Sequence, residues 1–329
     1  MRLTVKSALA ASLMVLGTAG LTGCGGASQP TQNAQTTTPS AGANAYPVTI
    51  RNCDKTYTYQ RAPQRVVTGW PTTVDTLSDL GVGRSVAGYI SGEFGPPPRD
   101  TTAQKLSDKY VPTTETILAA KPDFFLTNGD SQLSGESGSI TRADLEKIDA
   151  NPYVMGRNCK DFKGTVDVDA VYEDITNLGA IFGVPDKAKT LIDELRARVA
   201  AAKALRGQAQ KPRVAYVGVF EDKLYALSGG TYGLTLDGID AVNIFADLND
   251  DFAEISPEKV LTLNPDAIVF EYYPAIETEA EQKTKVASRL GNSNAVRSGK
   301  VVGVSAHLSE GHGVAAIEAI ELVAKGLYQ

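Results

Sequence analysis

Twice along this chain the same short plan recurs: a capping hydroxyl, a glutamate in the first turn, apolar residues at helical spacing, then Pro-Asp and a run of strand formers. The first copy, residues 113–123, is Thr113-Thr114-Glu115-Thr116-Ile117-Leu118-Ala119-Ala120-Lys121-Pro122-Asp123, leading into Phe124-Phe125-Leu126-Thr127. The second, residues 256–266, is Ser256-Pro257-Glu258-Lys259-Val260-Leu261-Thr262-Leu263-Asn264-Pro265-Asp266, leading into Ala267-Ile268-Val269-Phe270. A hydroxyl followed by a first-turn carboxylate starts a helix. Proline stops it and favours extended backbone just before itself. A continuously apolar strand is buried on both faces, and such strands alternating with helices make a parallel sheet covered on both sides. Two copies therefore predict two α/β lobes of similar plan.

Each lobe also opens alike. Arg65-Val66-Val67-Thr68 reads as a strand, followed by Trp70-Pro71, a helix over 72–80 and the turn Gly81-Val82-Gly83. Arg213-Val214-Ala215-Tyr216-Val217-Gly218-Val219 opens the second half. Between them Pro185 starts, and Gly207 ends, a segment whose Leu191, Ile192, Leu195, Val199, Ala202 and Leu205 recur at three- and four-residue steps. That spacing gives one apolar stripe on a helix of about 20 residues, near 30 Å long. A single helix joining two lobes favours a stiff connection. The expected organisation is an N-terminal lobe over 46–184, a bridging helix over 185–207 and a C-terminal lobe over 208–329, with a ligand cleft between the lobes.

The first 45 residues read differently. Arg2 and Lys6 precede an apolar stretch over 8–21 that ends in Leu21-Thr22-Gly23-Cys24. A basic start, a short apolar core and small residues at the end are the parts of an export signal. The stretch is shorter than the roughly 20 residues of a membrane span. Leu-Thr-Gly-Cys resembles the bacterial lipoprotein box, which implies removal of residues 1–23 and acylation of Cys24, attaching the protein to the cell membrane. Residues 24–45, rich in Gln, Thr, Ser, Pro and Ala, have no apolar periodicity and read as a disordered tether.

The formal net charge of −6 and the pI near 5.2 argue against nucleic acid and against a polybasic membrane patch. Cys24 belongs to the anchor, which leaves Cys53 and Cys159, both following asparagine. An even remainder in an exported protein suggests a disulfide; a redox or metal-binding pair is the alternative, without a CxxC or a nearby histidine in support.

With these segments in view, the chain resembles the helical-backbone class of ABC-importer solute-binding proteins, which carry ferric siderophores, haem or cobalamin. The resemblance covers nearly all of the chain beyond the tether. It rests most on the two Glu-to-Pro-Asp segments and the joining helix. It implies a monomeric binding lipoprotein that works with an ABC permease and ATPase, takes an iron-siderophore-type chelate as cargo, and has no cofactor of its own. The same resemblance leaves cobalamin, haem or another cofactor precursor as alternative cargo, and a non-transport, ligand-sensing lipoprotein is the more distant alternative. It also implies that Glu115 and Glu258, one on each lobe, meet arginines of the permease. Independently of the family, two carboxylates placed alike on two lobes suit a two-fold symmetric partner.

Ligands of open α/β sheets bind outside the carboxyl ends of the strands. On that rule the candidate ligand-binding residues are Trp70, Tyr89 and Asn128 in the first lobe. In the second they are Phe220, Ser228, Phe252, Tyr272, Tyr273 and His307. Tyr272 and Tyr273 point opposite ways on extended backbone, so one of them faces the cleft. Arg84 and Arg99 are candidates for an anionic ligand, and the prolines and Phe94 of residues 92–99 for a rim loop. Several aromatic rings with few charges suit a bulky, partly apolar ligand. The only histidines, His307 and His312, lie five residues apart across glycine, a weak metal spacing. The chain shows no Gly-x-Ser-x-Gly elbow, no HExxH and no phosphate-binding glycine loop, so an enzyme is not expected.

Overall fold

A computed structural model describes residues 46–92, 95–99, 101–162, 166–248 and 252–329. The expected leader, Cys24 and the tether lie outside the described residues, as does Phe94.

A hairpin of β1 (Val48–Asn52) and β2 (Lys55–Tyr59) precedes the first lobe. That lobe contains β3 (Val66–Thr68), α1 (Pro71–Asp79), β4 (Val86–Ile90), β5 (Gln104–Ser107), α2 (Thr114–Ala119), β6 (Phe124–Thr127), α3 (Arg142–Glu146) and β7 (Asn151–Val154). Its five strands are ordered β5-β4-β3-β6-β7 and all run parallel. Two helices follow, α4 (Val168–Ile181) and α5 (Pro185–Ala204). The second lobe comprises β8 (Arg213–Phe220), β9 (Lys223–Leu227), α6 (Gly230–Gly238), β10 (Val242–Asn243), β11 (Phe252–Ile255), α7 (Pro257–Leu263) and β12 (Ala267–Tyr272). It closes with α8 (Glu279–Leu290), α9 (Asn294–Arg297), β13 (Val301–Ser305), α10 (Ala306–Ser309) and α11 (Val314–Tyr328).

The repeated segments form as their residues dictate. Thr113 accepts a hydrogen bond from the Thr116 amide at the start of α2, and Ser256 does the same for Lys259 at the start of α7. The structure adds a role for the aspartates. Asp123 accepts the backbone N–H groups of Gln64 and Arg65, and Asp266 that of Arg213. Each Pro-Asp thereby ties the start of its own strand to the start of the neighbouring strand that opens its lobe.

The second sheet departs from the all-parallel expectation. Its order is β11-β9-β8-β12-β13, with β10 beside the start of β8. β8, β12 and β13 are parallel, whereas β9 is antiparallel to both β8 and β11. The cause is a two-residue turn, Glu221-Asp222, with both φ angles positive (45° and 63°). That backbone is the one that folds a strand back on itself.

The bridging helix buries Leu191, Ile192, Leu195, Val199 and Ala202 as the stripe predicts. It ends at Ala204, short of the expected Gly207: Leu205 caps it, and Gly207 follows at φ +57°. α5 packs between α4 and α11, and Arg198 grips Glu321 at two points, both 2.9 Å. One apolar core runs from Val66, Leu77 and Phe124 in the first lobe through Leu195 to Tyr216, Val269 and Ile320 in the second. Cys53 and Cys159 are joined, with Cα atoms 5.6 Å apart.

Candidate functional site

The carboxyl ends of both parallel sets of strands converge on residues 310–313, the turn between α10 and α11. Four contacts seat that turn against the first lobe. The buried His312 ring lies where a side chain on Gly156 would collide with it, and it hydrogen-bonds to the Asn128 backbone. The Val314 amide donates to Thr76 Oγ1. Arg99 bridges Asp79 (2.8 Å) and Asp75 (3.4 Å) of the first lobe to Glu318 (3.2 Å) of α11. Burial pushes the His312 imidazole down to about 4, so it is neutral at physiological pH.

On the first-lobe side of this floor stand two rings. Trp70 follows β3 and is buried, and Tyr110 follows β5 with 36% of its surface exposed and its hydroxyl turned inward on Asn128; they meet edge to face with centroids 5.7 Å apart. The Tyr110 hydroxyl donates to Asn128 Oδ1 at 3.3 Å. Burial raises the Tyr110 phenol, and the Glu310 charge adds to the rise, which puts Glu310 of the second lobe within electrostatic reach of this ring.

On the second-lobe side four rings share one face of the sheet. Phe220 folds back over Gly218, a position where any side chain would strike it. Its ring centroid lies 5.7 Å from Tyr225, 5.4 Å from Phe252 and 5.7 Å from Tyr273. Tyr225 and Phe252 stack at 4.6 Å.

Between the two sets of rings lies an acidic floor. The Tyr273 hydroxyl donates to Glu310 Oε1 at 2.6 Å. Beneath it Glu271 is fully buried; its Oε1 accepts from Tyr232 and from Ser309, while Oε2 has no hydrogen-bond partner. Burial raises the pKa of both carboxyls, and the Glu310 charge raises that of Glu271 further. Two like charges so close in a low-dielectric site resist ionising together, so one carboxyl keeps a proton well above the usual carboxylate range.

The structure thus brings together Trp70, Asn128, Phe220, Phe252 and Tyr273, and separates the other candidates from them. Tyr89 lies within β4 instead of after it, and its ring is buried in the lobe core. Ser228 sits by the amino end of β8, where its carbonyl accepts from Asn243, at the opposite end of the sheet from Phe220. The antiparallel hairpin carried it there. Tyr272 packs on the other sheet face, against the cluster that contains Phe270. His307 is half-buried on α10, within reach of the Asp75 and Arg99 charges, and burial lowers its pKa. Arg84 precedes β4, at the amino end of the sheet, and Arg99 is committed to its three carboxylates. Among the described residues no group of three or more His, Cys, Asp or Glu is placed to hold a metal ion. No helix among them is long and apolar enough to cross a membrane.

Four site residues escaped the sequence reading: Tyr110, Tyr225, Glu271 and Glu310. Tyr110 was findable as the ring after a strand and before a capped helix. Tyr225 becomes visible only once the hairpin is known. Glu310 lies in Ser309-Glu310-Gly311-His312, a segment weighed for its histidines alone.

Glu115 and Glu258 are both exposed. α2 follows β5 and α7 follows β11, so each glutamate stands in a first helical turn at the carboxyl-end side of its own sheet. The concave surface at the opposite ends of the second-lobe strands, lined by Lys211, Asp266, Arg297 and Lys300 among others, is open and carries no aromatic ring.

Residues 66–308 match the periplasmic binding protein family. The cobalamin-binding protein of Halobacterium salinarum is 25% identical over 270 residues, spanning 80% of this chain and 69% of that protein. Among solved structures, that of an ABC-type Fe3+-hydroxamate transport system from Saccharomonospora viridis aligns with a TM-score of 0.69 and 24% identity, over 86% of this chain and 99% of that one. The periplasmic vitamin B12-binding protein of Vibrio cholerae aligns with a TM-score of 0.61 and 20% identity, over 80% and 96%.

Proposed function

This chain belongs to the periplasmic binding protein family, and on that premise we propose that it captures a bulky metal chelate of the iron-siderophore type between its lobes and delivers it to an ABC importer. The observation that carries this reading is a pair of rings from one lobe, Trp70 and Tyr110, and a cluster of four from the other, Phe220, Tyr225, Phe252 and Tyr273, that both reach Glu310: Tyr273 by a hydrogen bond and Tyr110 through the charge of that carboxyl. Such a surface takes a large, partly apolar ligand, with polar groups at the floor to orient it. Glu115 and Glu258 support delivery. They stand on the same side of the lobes as the cleft, so a two-fold partner docked on both covers the exit for the cargo. The shared core through α5 and α11 confines any change in the separation of the two carboxylates to the modest shift between lobe positions that accompanies binding.

Cobalamin as cargo is the second reading, favoured by the H. salinarum relative. Under both readings the leader is removed and the acylated Cys24 attaches the protein to the membrane.

Native mass spectrometry of the exported chain with a ferric siderophore, haem and cobalamin tests the reading, run beside tryptophan fluorescence. A bound cargo is expected as a one-to-one adduct that quenches Trp70, the only tryptophan in the chain. Failure to retain any of the three refutes the proposed cargo class.

A further inference from the structure

We propose that the cleft selects cargo that carries no net negative charge and presents a cationic or amide hydrogen-bond donor to Glu310. The inference rests on the reading that the cleft is the cargo site, and names the chemical class it takes.

Three observations carry it. The first is the floor itself. Glu310 lies between Tyr110 of one lobe and Tyr273 of the other, and behind it the fully buried Glu271 keeps Oε2 without a partner. A carboxyl pair under a cleft repels an anion and attracts a donor, more strongly as bound cargo excludes water. The second is the wall. Electron-rich ring faces on both sides attract a cation and offer an anion nothing. The third is the state of nearby cations, which an anionic chelate would require. Arg99 is held by three carboxylates, Arg142 by Asp130, Arg157 by Glu173 and Asp167, and Lys223 by Glu254. Among the described residues Lys109 and Lys160 are exposed, where solvent screens them.

Titration calorimetry on the exported chain tests this with probes of two charge classes. Ferrioxamine B is a cationic ferric trihydroxamate and cyanocobalamin has no net charge; ferric enterobactin and haem are anionic. The tightest probe is expected from the first pair, and Glu310→Gln is expected to weaken ferrioxamine B at least tenfold. Glu146→Gln, an exposed change at the end of α3 before the amino end of β7, is expected to leave it unaltered. Glu310→Gln removes the ionisable group while keeping the shape of the side chain, so unaltered thermal stability of that variant is part of the expected result. Tighter binding of ferric enterobactin or haem overturns the charge selection and leaves the transport reading standing. An unchanged ferrioxamine B affinity in Glu310→Gln overturns the role of Glu310. Binding of no probe at all refutes the cargo reading together with this inference.

Discussion

The Tyr273 phenol donates to Glu310 across 2.6 Å, fastening the end of β12 to the turn that begins α11. That turn is also the one seated on the first lobe by His312 and Val314. A single hydrogen bond therefore joins the aromatic wall, the acidic floor and the contact between lobes.

Tyr273→Phe keeps the ring and removes the donor. At pH 8 the ionised form of Glu310 loses a hydrogen bond in a nearly buried place, at a cost of about 1–2 kcal/mol. At pH 4 the cost shrinks, because burial raises the pKa of this carboxyl above its ordinary value and so favours its protonated form. Urea unfolding of the variant and the parent at the two pH values checks this. An equal cost at both would contradict the assignment.

His312 supplies an acid-side limit to stability. Its imidazole is depressed to about 4 by burial, against about 6.5 in an unfolded chain. Between those values the unfolded state binds the extra proton, so the contribution is whole above about 6.5 and fades as pH falls through about 4. The span corresponds to about 3 kcal/mol at about 1.4 kcal/mol per pH unit. Asp174 acts in the opposite sense. Burial raises it to about 7, so its contribution is lost as pH rises through that value. Comparison with His312→Gln isolates the histidine: the advantage of the parent over the variant is expected to shrink steadily from pH 6.5 to 4. NMR titration should find His312 neutral at pH 5.5.

Cys53 and Cys159, 106 positions apart, tie the β1–β2 hairpin to the loop after β7. Replacing both by alanine frees a loop of about 100 residues in the unfolded chain, worth roughly 4–5 kcal/mol on the chain-entropy model. Neither cysteine is part of the ring cluster, but Asn158 beside Cys159 donates to the Asn128 carbonyl, so cargo affinity at 25 °C is expected to fall far less than stability. Denaturant midpoints and calorimetric affinities, measured on the same preparation, separate the two effects.

Much of this architecture is local, and the local parts were legible. Caps at Thr113 and Ser256, the prolines after them and the stripe on α5 are spacings along one segment, and each produced the element its residues imply. Pairing direction was not legible where it hung on two residues. Glu221 and Asp222 adopt left-handed backbone that aspartate tolerates and glutamate seldom does, so the composition of that turn did not announce a hairpin. The misplacement of Ser228 follows directly. Tyr89 failed for a related reason: strand length fixes which residue is last, and β4 runs one residue past it, to Ile90. The acidic floor was the least legible part. Glu271 and Glu310 are 39 positions apart and become one unit only through the parallel pairing of β12 with β13 and the short α10 that follows.

The central claim, capture by the cleft and release on docking, is tested most directly by reversing the two rim carboxylates. Uptake by cells and cargo affinity of the purified chain should be measured for Glu115→Arg with Glu258→Arg. The account predicts uptake reduced to background with affinity within about twofold of the parent, since both side chains are exposed and stand outside the ring cluster. Uptake at the parent rate, or affinity lost along with it, would contradict the account.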